Sequence, residues 1–176
     1  MADRILGESR FLRLIERDGW SFVERPNSKG VVTILPLTRE RRLIFVEQFR
    51  TPLGGKVIEF PAGLMGDEAG HEKEGPVVAA HRELIEETGY QAQDMELVAT
   101  TATSPGMANE FVHFVLAWNL DRVGPGGGID NEDIVVHEVP IAEARTWLKE
   151  QERAGLAVAA KVFAGLYFAN ERWGNR

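Results

Sequence analysis

The 176-residue sequence contains no cysteine. Disulfide bonds and thiolate chemistry are therefore excluded, and such a chain suits a reducing compartment, so we expect a cytoplasmic protein. No apolar run approaches the roughly 18 residues that a membrane-spanning helix needs. The N-terminus, MADRILGESRFLRLIERD, is charged throughout and lacks the apolar segment of a signal peptide. We therefore expect no membrane partner.

Positive charge is also scarce, since 20 Lys and Arg residues face 27 Asp and Glu residues and the net charge is -7. A nucleic-acid partner is disfavoured, because the phosphate backbone demands a basic face. A small phosphorylated ligand stays compatible with this charge, because a bound cation can reverse its local sign. The composition is 44% hydrophobic, enough for the core of one domain.

The order of apolar patterns predicts a mixed fold. Alternating segments flank Asp18-Gly19, a signal for an antiparallel hairpin, so we assign residues 1–30 to N-terminal strands and 31–176 to the main domain. A second hairpin is expected on either side of the turn TRERR. Further strands are predicted at KVIEFPAG, MELVATTA, EFVHFVLAWNL and DIVVHEVPI, and helices at PVVAAHRELIEET, IAEARTWLKEQER and LAVAAKVFAGLYFANER. This order indicates α/β (α+β) architecture, with an α/β/α sandwich as one form.

The stretch RELIEETG places three glutamates on one face of a predicted helix. Glu83, Glu86 and Glu87 are spaced i, i+3 and i+4, and like charges at those spacings destabilise a helix by about 0.2–0.5 kcal/mol per pair. Either water screens the repulsion or a cation binds there. The buried stripe of this helix is predicted to contain Val77, Val78, Ala80, Leu84, Ile85 and Thr88.

The segment from Gly63 to Tyr90 resembles the Nudix box, G-x5-E-x7-R-E-U-x-E-E-x-G-U with U apolar. Glu74 stands eight positions before Arg82, and the residues from Arg82 to Tyr90 follow the pattern. One departure is that ten residues, rather than five, separate Gly63 from Glu74, which indicates a five-residue loop insertion. Such an insertion costs little stability and leaves the helical half intact.

The resemblance implies a metal site and a Nudix α/β/α fold with a mixed sheet. Glu83, Glu86 and Glu87, with the backbone carbonyl of Ala62, would bind two or three Mg²⁺ or Mn²⁺ ions. Carboxylates suit these ions, which prefer oxygen ligands. Arg82 would serve catalysis by orienting the site through a salt bridge to Glu74.

Flanking motifs narrow the resemblance to ADP-ribose pyrophosphatases and related nucleoside-diphosphate-sugar hydrolases. EFPAG precedes the box, VEQFR lies on an earlier predicted strand, and SPGMANE follows the box. The stretch AGLAVAAKVFAGL resembles a C-terminal helix of that group, although Ala159 stands where the group has an aspartate. The implied reaction is metal-dependent cleavage of ADP-ribose, GDP-mannose or a similar compound into a nucleoside monophosphate and a sugar phosphate. The alternatives are a hydrolase of nucleoside triphosphates, dinucleoside polyphosphates or coenzyme A, and a non-catalytic nucleotide-sugar sensor.

The same resemblance assigns the remaining catalytic and polar residues. Glu110, at the end of SPGMANE, matches a general base, with Glu86 as the alternative base; otherwise Glu110 is the exposed start of a strand. Arg50 is expected to grip a phosphate, because its planar fork suits that anion. Glu59 is expected to accept from a ribose or base, and the alternative for both is an ordinary strand position.

Aromatic and N-terminal residues complete the predicted substrate site. Phe60, Trp20 and Phe22 are candidates for stacking on a base, with core packing as the alternative, and Met107 either covers the ligand or faces solvent. Relatives of this group commonly dimerise through their N-terminal strands. A homodimer is therefore expected, with Arg25 or Lys29 acting across its interface.

Overall fold

The computed structural model describes residues 3–67, 70–128 and 133–174. Within these residues, strands form one small and one large sheet, and helices cover the large sheet. The strands are β1 (Arg4–Glu8), β2 (Arg13–Arg17), β3 (Trp20–Glu24), β4 (Val31–Leu37), β5 (Arg42–Arg50), β6 (Gly55–Glu59), β7 (Ala62–Leu64), β8 (Tyr90–Ala102), β9 (Phe111–Arg122), β10 (Val135–Pro140) and β11 (Ala157–Val158). The helices are α1 (Pro76–Thr88), α2 (Ala144–Arg153) and α3 (Ala160–Trp173). None of the helices in these ranges is long and apolar enough to cross a membrane.

The small sheet has the order β1-β2-β3 and is antiparallel throughout. The hairpin predicted around Asp18-Gly19 is confirmed, since β2 and β3 pair on either side of it. Strand β1 was not predicted, and all five of its residues are exposed. A strand without a buried face lacks the apolar alternation by which strands are recognised in a sequence.

The large sheet is mixed, with the order β11-β6-β5-β4-β9-β8 and with β10 on β5 and β7 on β4. Strands β4 and β9 run parallel, whereas β8 and β9 are antiparallel. The second predicted hairpin forms only at its turn, where Leu37 pairs with Leu43. Beyond the turn the strands separate, because β4 pairs with β7 and β9 while β5 pairs with β6 and β10.

Helices pack on both faces of the large sheet. On one face α2 and α3 bury a core that includes Phe45, Phe60 and Leu148, and on the other α1 buries Leu84 against Ile34 and Val115. The predicted α/β/α sandwich with a mixed sheet is confirmed.

Helix α1 begins at Pro76 after Gly75 and ends before Gly89, as its sequence predicts. Its buried residues are Ala79, Ala80, Leu84, Glu87 and Thr88. The predicted stripe is therefore wrong at its start, because Val77 and Val78 are exposed. The face of α1 that contacts the sheet is lined by the small residues Ala79 and Ala80. Hydrophobicity alone does not indicate that these alanines are buried and that the neighbouring valines are exposed.

Candidate active site

A cavity of about 560 Å³ lies where α1 meets the ends of β5, β6 and β7. It brings together most of the residues predicted for catalysis, substrate binding and metal binding. Those that line it are Arg25, Arg50, Glu59, Ala62, Arg82, Glu83, Glu86, Glu87 and Glu110. Segments that lie more than 80 positions apart in the sequence thus meet at one place.

Sequence reasoning missed further polar residues of this cavity, namely Gln48, Asp67 and Lys161. Gln48 lies in VEQFR and Lys161 in AGLAVAAKVFAGL, two stretches whose resemblance to the family was the available signal. Among the described lining residues six are carboxylates and four are cationic, so the cavity carries formal charge of both signs.

Gly63 makes room for the first of the helical carboxylates. A Cβ at Gly63 would lie 1.9 Å from Cδ of Glu83, so the carboxylate occupies the space that any other residue would fill. The pKa of Glu83 is raised to about 7, chiefly by burial; Arg82 opposes the shift, and the neighbouring carboxylates Glu86 and Asp67 add to it. The site therefore holds a carboxyl group that ionises at a higher pH than an exposed glutamate does.

The other two carboxylates are fixed by different partners. Glu87 is 4% exposed and accepts a hydrogen bond at 3.1 Å from the Ala62 backbone N–H. Nη1 of Arg82 lies between Glu83 and Glu86, 2.9 Å from an oxygen of the first and 3.2 Å from an oxygen of the second. The backbone of Ala62 and the cation of Arg82 thus compensate part of the negative charge.

The carboxylates of Glu83, Glu86 and Glu87, with the carbonyl of Ala62, offer a set of oxygen donors, which suits Mg²⁺ or Mn²⁺. In the described part of the chain, no three acidic or histidine side chains already converge as metal ligands do. Two of the proposed ligands, Glu83 and Glu86, are instead ion-paired with Arg82. The donor chemistry fits such an ion once these carboxylates turn from Arg82.

The salt bridge predicted between Arg82 and Glu74 is confirmed. Nη2 of Arg82 lies 3.1 Å from Oε1 of Glu74 and also donates to the Leu64 carbonyl at 3.3 Å. Burial alone would raise the pKa of Glu74, but hydrogen bonds from Arg82 and from the Gly66 N–H hold it below its ordinary value. Despite the five-residue insertion, the loop is therefore tied to α1 as the sequence pattern predicts.

A second cluster in the cavity combines cations with a buried carboxylate. Nε of Arg50 donates to Glu59 at 2.6 Å, and Nζ of Lys161 lies 3.5 Å from the other oxygen of Glu59. Glu59 is buried, whereas the side chains of Arg50 and Lys161 are 40% and 29% exposed. An anion entering the cavity can therefore reach both cations.

Glu110 lies at the end of the loop formed by residues 104–110, and Nε of Arg25 donates to it at 2.8 Å. Strand β3 holds the same loop, because the Val23 N–H donates to the Met107 carbonyl at 2.7 Å and Nε1 of Trp20 donates to the Gly106 carbonyl at 3.2 Å. Arg25 lies in its own chain's cavity, next to Glu110.

The structure does not bring all predicted residues into the cavity. Phe60 is buried and stacks on Phe45 with ring centroids 4.7 Å apart, so the prediction that it stacks on a base is wrong. Trp20 and Met107 are exposed and do not line the cavity among the described residues, and Lys29 borders neighbouring clefts instead.

The family profile of the NUDIX domain matches residues 28–160. The chain belongs to the NUDIX family. Its fold resembles that in the crystal structure of ADP compounds hydrolase, with a TM-score of 0.77 and 19% sequence identity over 99% of this chain and 92% of that chain. At this identity the likeness concerns the fold alone.

The chain is also similar in sequence to three named proteins. It is 39% identical over 123 residues to the methanol dehydrogenase activator of Bacillus methanolicus, covering 69% of this chain and 64% of the relative. It is 38% identical over 141 residues to the ADP-ribose pyrophosphatase of Bacillus subtilis (strain 168), covering 74% of each. With the GDP-mannose pyrophosphatase of Escherichia coli (strain K12) the identity is 32% over 131 residues, covering 70% of this chain and 65% of the relative. The first and third matches thus span less than two thirds of the relative.

Proposed function

We propose that the protein is a hydrolase that cleaves the diphosphate of a nucleoside diphosphate sugar into a nucleoside monophosphate and a sugar phosphate. The observation that carries this proposal is the cavity that holds the acidic face of α1 together with Arg50 and Lys161. The relatives named ADP-ribose pyrophosphatase and GDP-mannose pyrophosphatase support the substrate class. ADP-ribose is our first candidate and GDP-mannose the second.

The metal part of the proposal rests on the oxygen donors of the cavity. Glu83, Glu86, Glu87 and the carbonyl of Ala62 would hold two or three Mg²⁺ or Mn²⁺ ions together with substrate. Such ions, when bound, supply neutralisation of the diphosphate charge and a lowered pKa for water. Arg82 keeps its contact with Glu74 and so holds the loop and the helix in place.

The cations of the cavity would bind the substrate. Arg50 offers a planar fork to a phosphate, and Lys161 offers a point charge beside it. The diphosphate replaces Glu59 as their partner, which frees Glu59 to accept a hydrogen bond from a ribose hydroxyl or a base.

Glu110 is the proposed general base, with Glu86 as the alternative. A carboxylate oxygen of Glu110 takes a proton from the attacking water, an oxygen–phosphorus bond forms, and the bond from that phosphorus to the bridging oxygen breaks. The electron pair stays on the departing phosphate. Arg25 holds Glu110 at 2.8 Å, so the base becomes available when this ion pair separates.

The proposal also covers the oligomeric state of the protein and its cellular compartment. We assign residues 1–30 to a dimerisation element of a homodimer and 31–176 to the catalytic domain. We place the enzyme in the cytoplasm, because a chain without cysteine gains nothing from an oxidising compartment.

The first test is a substrate panel with Mg²⁺ and with Mn²⁺. ADP-ribose, GDP-mannose, a nucleoside triphosphate, a dinucleoside polyphosphate and coenzyme A are incubated with the protein, and the products are identified by ³¹P NMR and chromatography. We expect a nucleoside monophosphate and a sugar phosphate from at least one nucleotide sugar. Nucleotide-sugar binding without turnover would instead indicate a sensor.

The second test is Glu87→Gln, which keeps an oxygen to accept from the Ala62 N–H but removes the charge. We expect kcat to fall about 100-fold or more while the melting temperature changes little, because an ion ligand is lost. Glu152→Gln is the matched control, an exposed glutamate on α2 whose loss leaves kcat unchanged. Near-normal kcat for Glu87→Gln would refute its assignment.

A further inference from the structure

Residues 124–128, GPGGG, form a segment that we call the glycine loop, and it contacts the C-terminal end of α1. The Gly127 N–H donates to the Glu87 carbonyl at 2.8 Å, and the Gly128 N–H donates to the Glu86 carbonyl at 3.1 Å. Carbonyls in the last turn of a helix lack partners within the helix. The backbone of two proposed metal-binding residues is therefore bonded directly to the glycine loop.

The contact between the loop and the helix end leaves no room for side chains. A Cβ on Gly126 would lie 2.4 Å from the Thr88 carbonyl carbon and 2.7 Å from the Gly89 nitrogen. A Cβ on Gly89 would lie 2.3 Å from the Gly124 carbonyl oxygen. Gly126 also has a φ of +69°, a conformation that other residues adopt rarely. Backbone therefore packs directly on backbone at this point.

Backbone hydrogen bonds also fix the glycine loop next to the ends of strands of the large sheet. The N–H groups of Val123 and Gly124 donate to the Gly89 carbonyl at 2.9 and 3.1 Å, and Val123 directly follows β9. The Ile134 N–H donates to the Gly127 carbonyl at 3.2 Å, one residue before β10. The loop thus connects the end of α1 to two strands of the sheet.

We propose that the glycine loop is a positioning element, which sets where Glu86 and Glu87 stand relative to Ala62. This inference rests on the proposed function, because it takes these glutamates as metal ligands. Displacements of about 1 Å in a supporting element are large enough to disturb a catalytic constellation. The loop N–H groups also offset the partial negative charge that the helix end adds to the acidic cluster.

The test compares two alanine substitutions within the loop. In Gly126→Ala the new methyl group meets the helix end, whereas in Gly124→Ala it meets no atom within 4 Å. Mn²⁺ binding to each full-length protein is measured by electron paramagnetic resonance, with circular dichroism and thermal melting as folding checks. We expect the Kd for Mn²⁺ to rise about tenfold in Gly126→Ala. It should stay within about twofold of wild type in Gly124→Ala.

A folded Gly126→Ala protein that binds Mn²⁺ like the wild type would overturn the proposal and leave the loop a purely structural cap. If Gly126→Ala does not fold, Gly127→Ala takes its place, because its Cβ would meet no atom nearer than 3.9 Å while its φ of +103° still strains the loop. The same comparison of Kd then decides. A wild-type protein that binds Mn²⁺ but cleaves no nucleotide sugar would refute the proposed function and leave this test intact.

Discussion

Glu83, which we propose as a metal ligand, lowers the stability of the metal-free protein where it is ionised. Its carboxyl group is buried beside Gly63, and its pKa is raised to about 7 from an ordinary value of 4.5. The folded state therefore keeps this proton to a higher pH than the unfolded state does. By linkage, the stability of the metal-free protein falls as the pH rises from about 4.5 to about 7.

The Glu83→Gln substitution should remove this pH-dependent penalty. In EDTA at pH 8 we expect the variant to be more stable than the wild type by about 1–3 kcal/mol, and the difference should vanish below pH 4.5. Saturating Mg²⁺ should stabilise the wild type more than the variant. Denaturant unfolding across this pH range measures all three effects, with Glu152→Gln as the control, and a gap independent of pH would contradict the argument.

Two adjacent residues in EFPAG show how far the motif alone could predict which side chains line the cavity. Neighbouring residues of an extended chain point to opposite sides, so Glu59 and Phe60 cannot both face one cavity. Glu59 lines the cavity and Phe60 enters the core beside Phe45. The motif assigned both residues to the substrate, and strand geometry decides between them.

At the scale of elements, α1 was the easiest to predict, because Pro76 and Gly89 mark its ends and the carboxylates share one face. The buried side was harder to predict. Ala79 faces the sheet while Val78 faces solvent, since the orientation of the helix follows from close approach to β4 and β8. The approach of α1 to these strands cannot be predicted from any local property of its residues.

Strand β3 and the loop of residues 104–110 form a further pair of elements. Trp20 and Val23 of β3 donate to the loop carbonyls, and Nδ2 of Asn109 donates to Glu24 at 3.1 Å. The loop carries Glu110 into the cavity. The small sheet therefore supports the residue that we propose as the base.

Two substitutions of Trp20 separate this support from stacking on a substrate base. If Nε1 anchors the loop, Trp20→Phe and Trp20→Ala should each lower kcat/KM about fivefold, the equivalent of one hydrogen bond. If the ring only stacks on the base, Trp20→Phe should retain most activity and Trp20→Ala should lose it. Steady-state kinetics with the best nucleotide sugar distinguishes the two patterns.

At the scale of the molecule, the cavity joins segments that are distant in sequence. Arg25 precedes β4, Arg50 ends β5, and Lys161 lies in the first turn of α3. The Nudix motif identified α1, but the parallel pairing of β11 with β6, directly before α3, is a long-range contact that no local pattern encodes. Lys161, a cavity residue that was not predicted, depends on this contact.

The small sheet leaves apolar side chains exposed on or beside β1 and β2, including Leu6, Phe11 and Leu14. A second exposed apolar surface lies on α3, at Phe163 and Tyr167. Exposed apolar patches mark surfaces of association, so both are candidates for the interface of the proposed dimer. Continuity with β3 and the loop of Glu110 favours the small sheet, because an interface there would also steady the site.

We therefore expect Leu14→Arg to convert a homodimer into a monomer of 19.6 kDa, because it places a charge in an apolar interface. Phe163→Arg is the matched control on α3 and should leave the dimer intact. Sedimentation equilibrium measures both masses, and kcat/KM should fall with the monomer if association steadies β3. The reverse pattern, with dissociation only in Phe163→Arg, would move the interface to α3, and a wild-type monomer would refute the dimer.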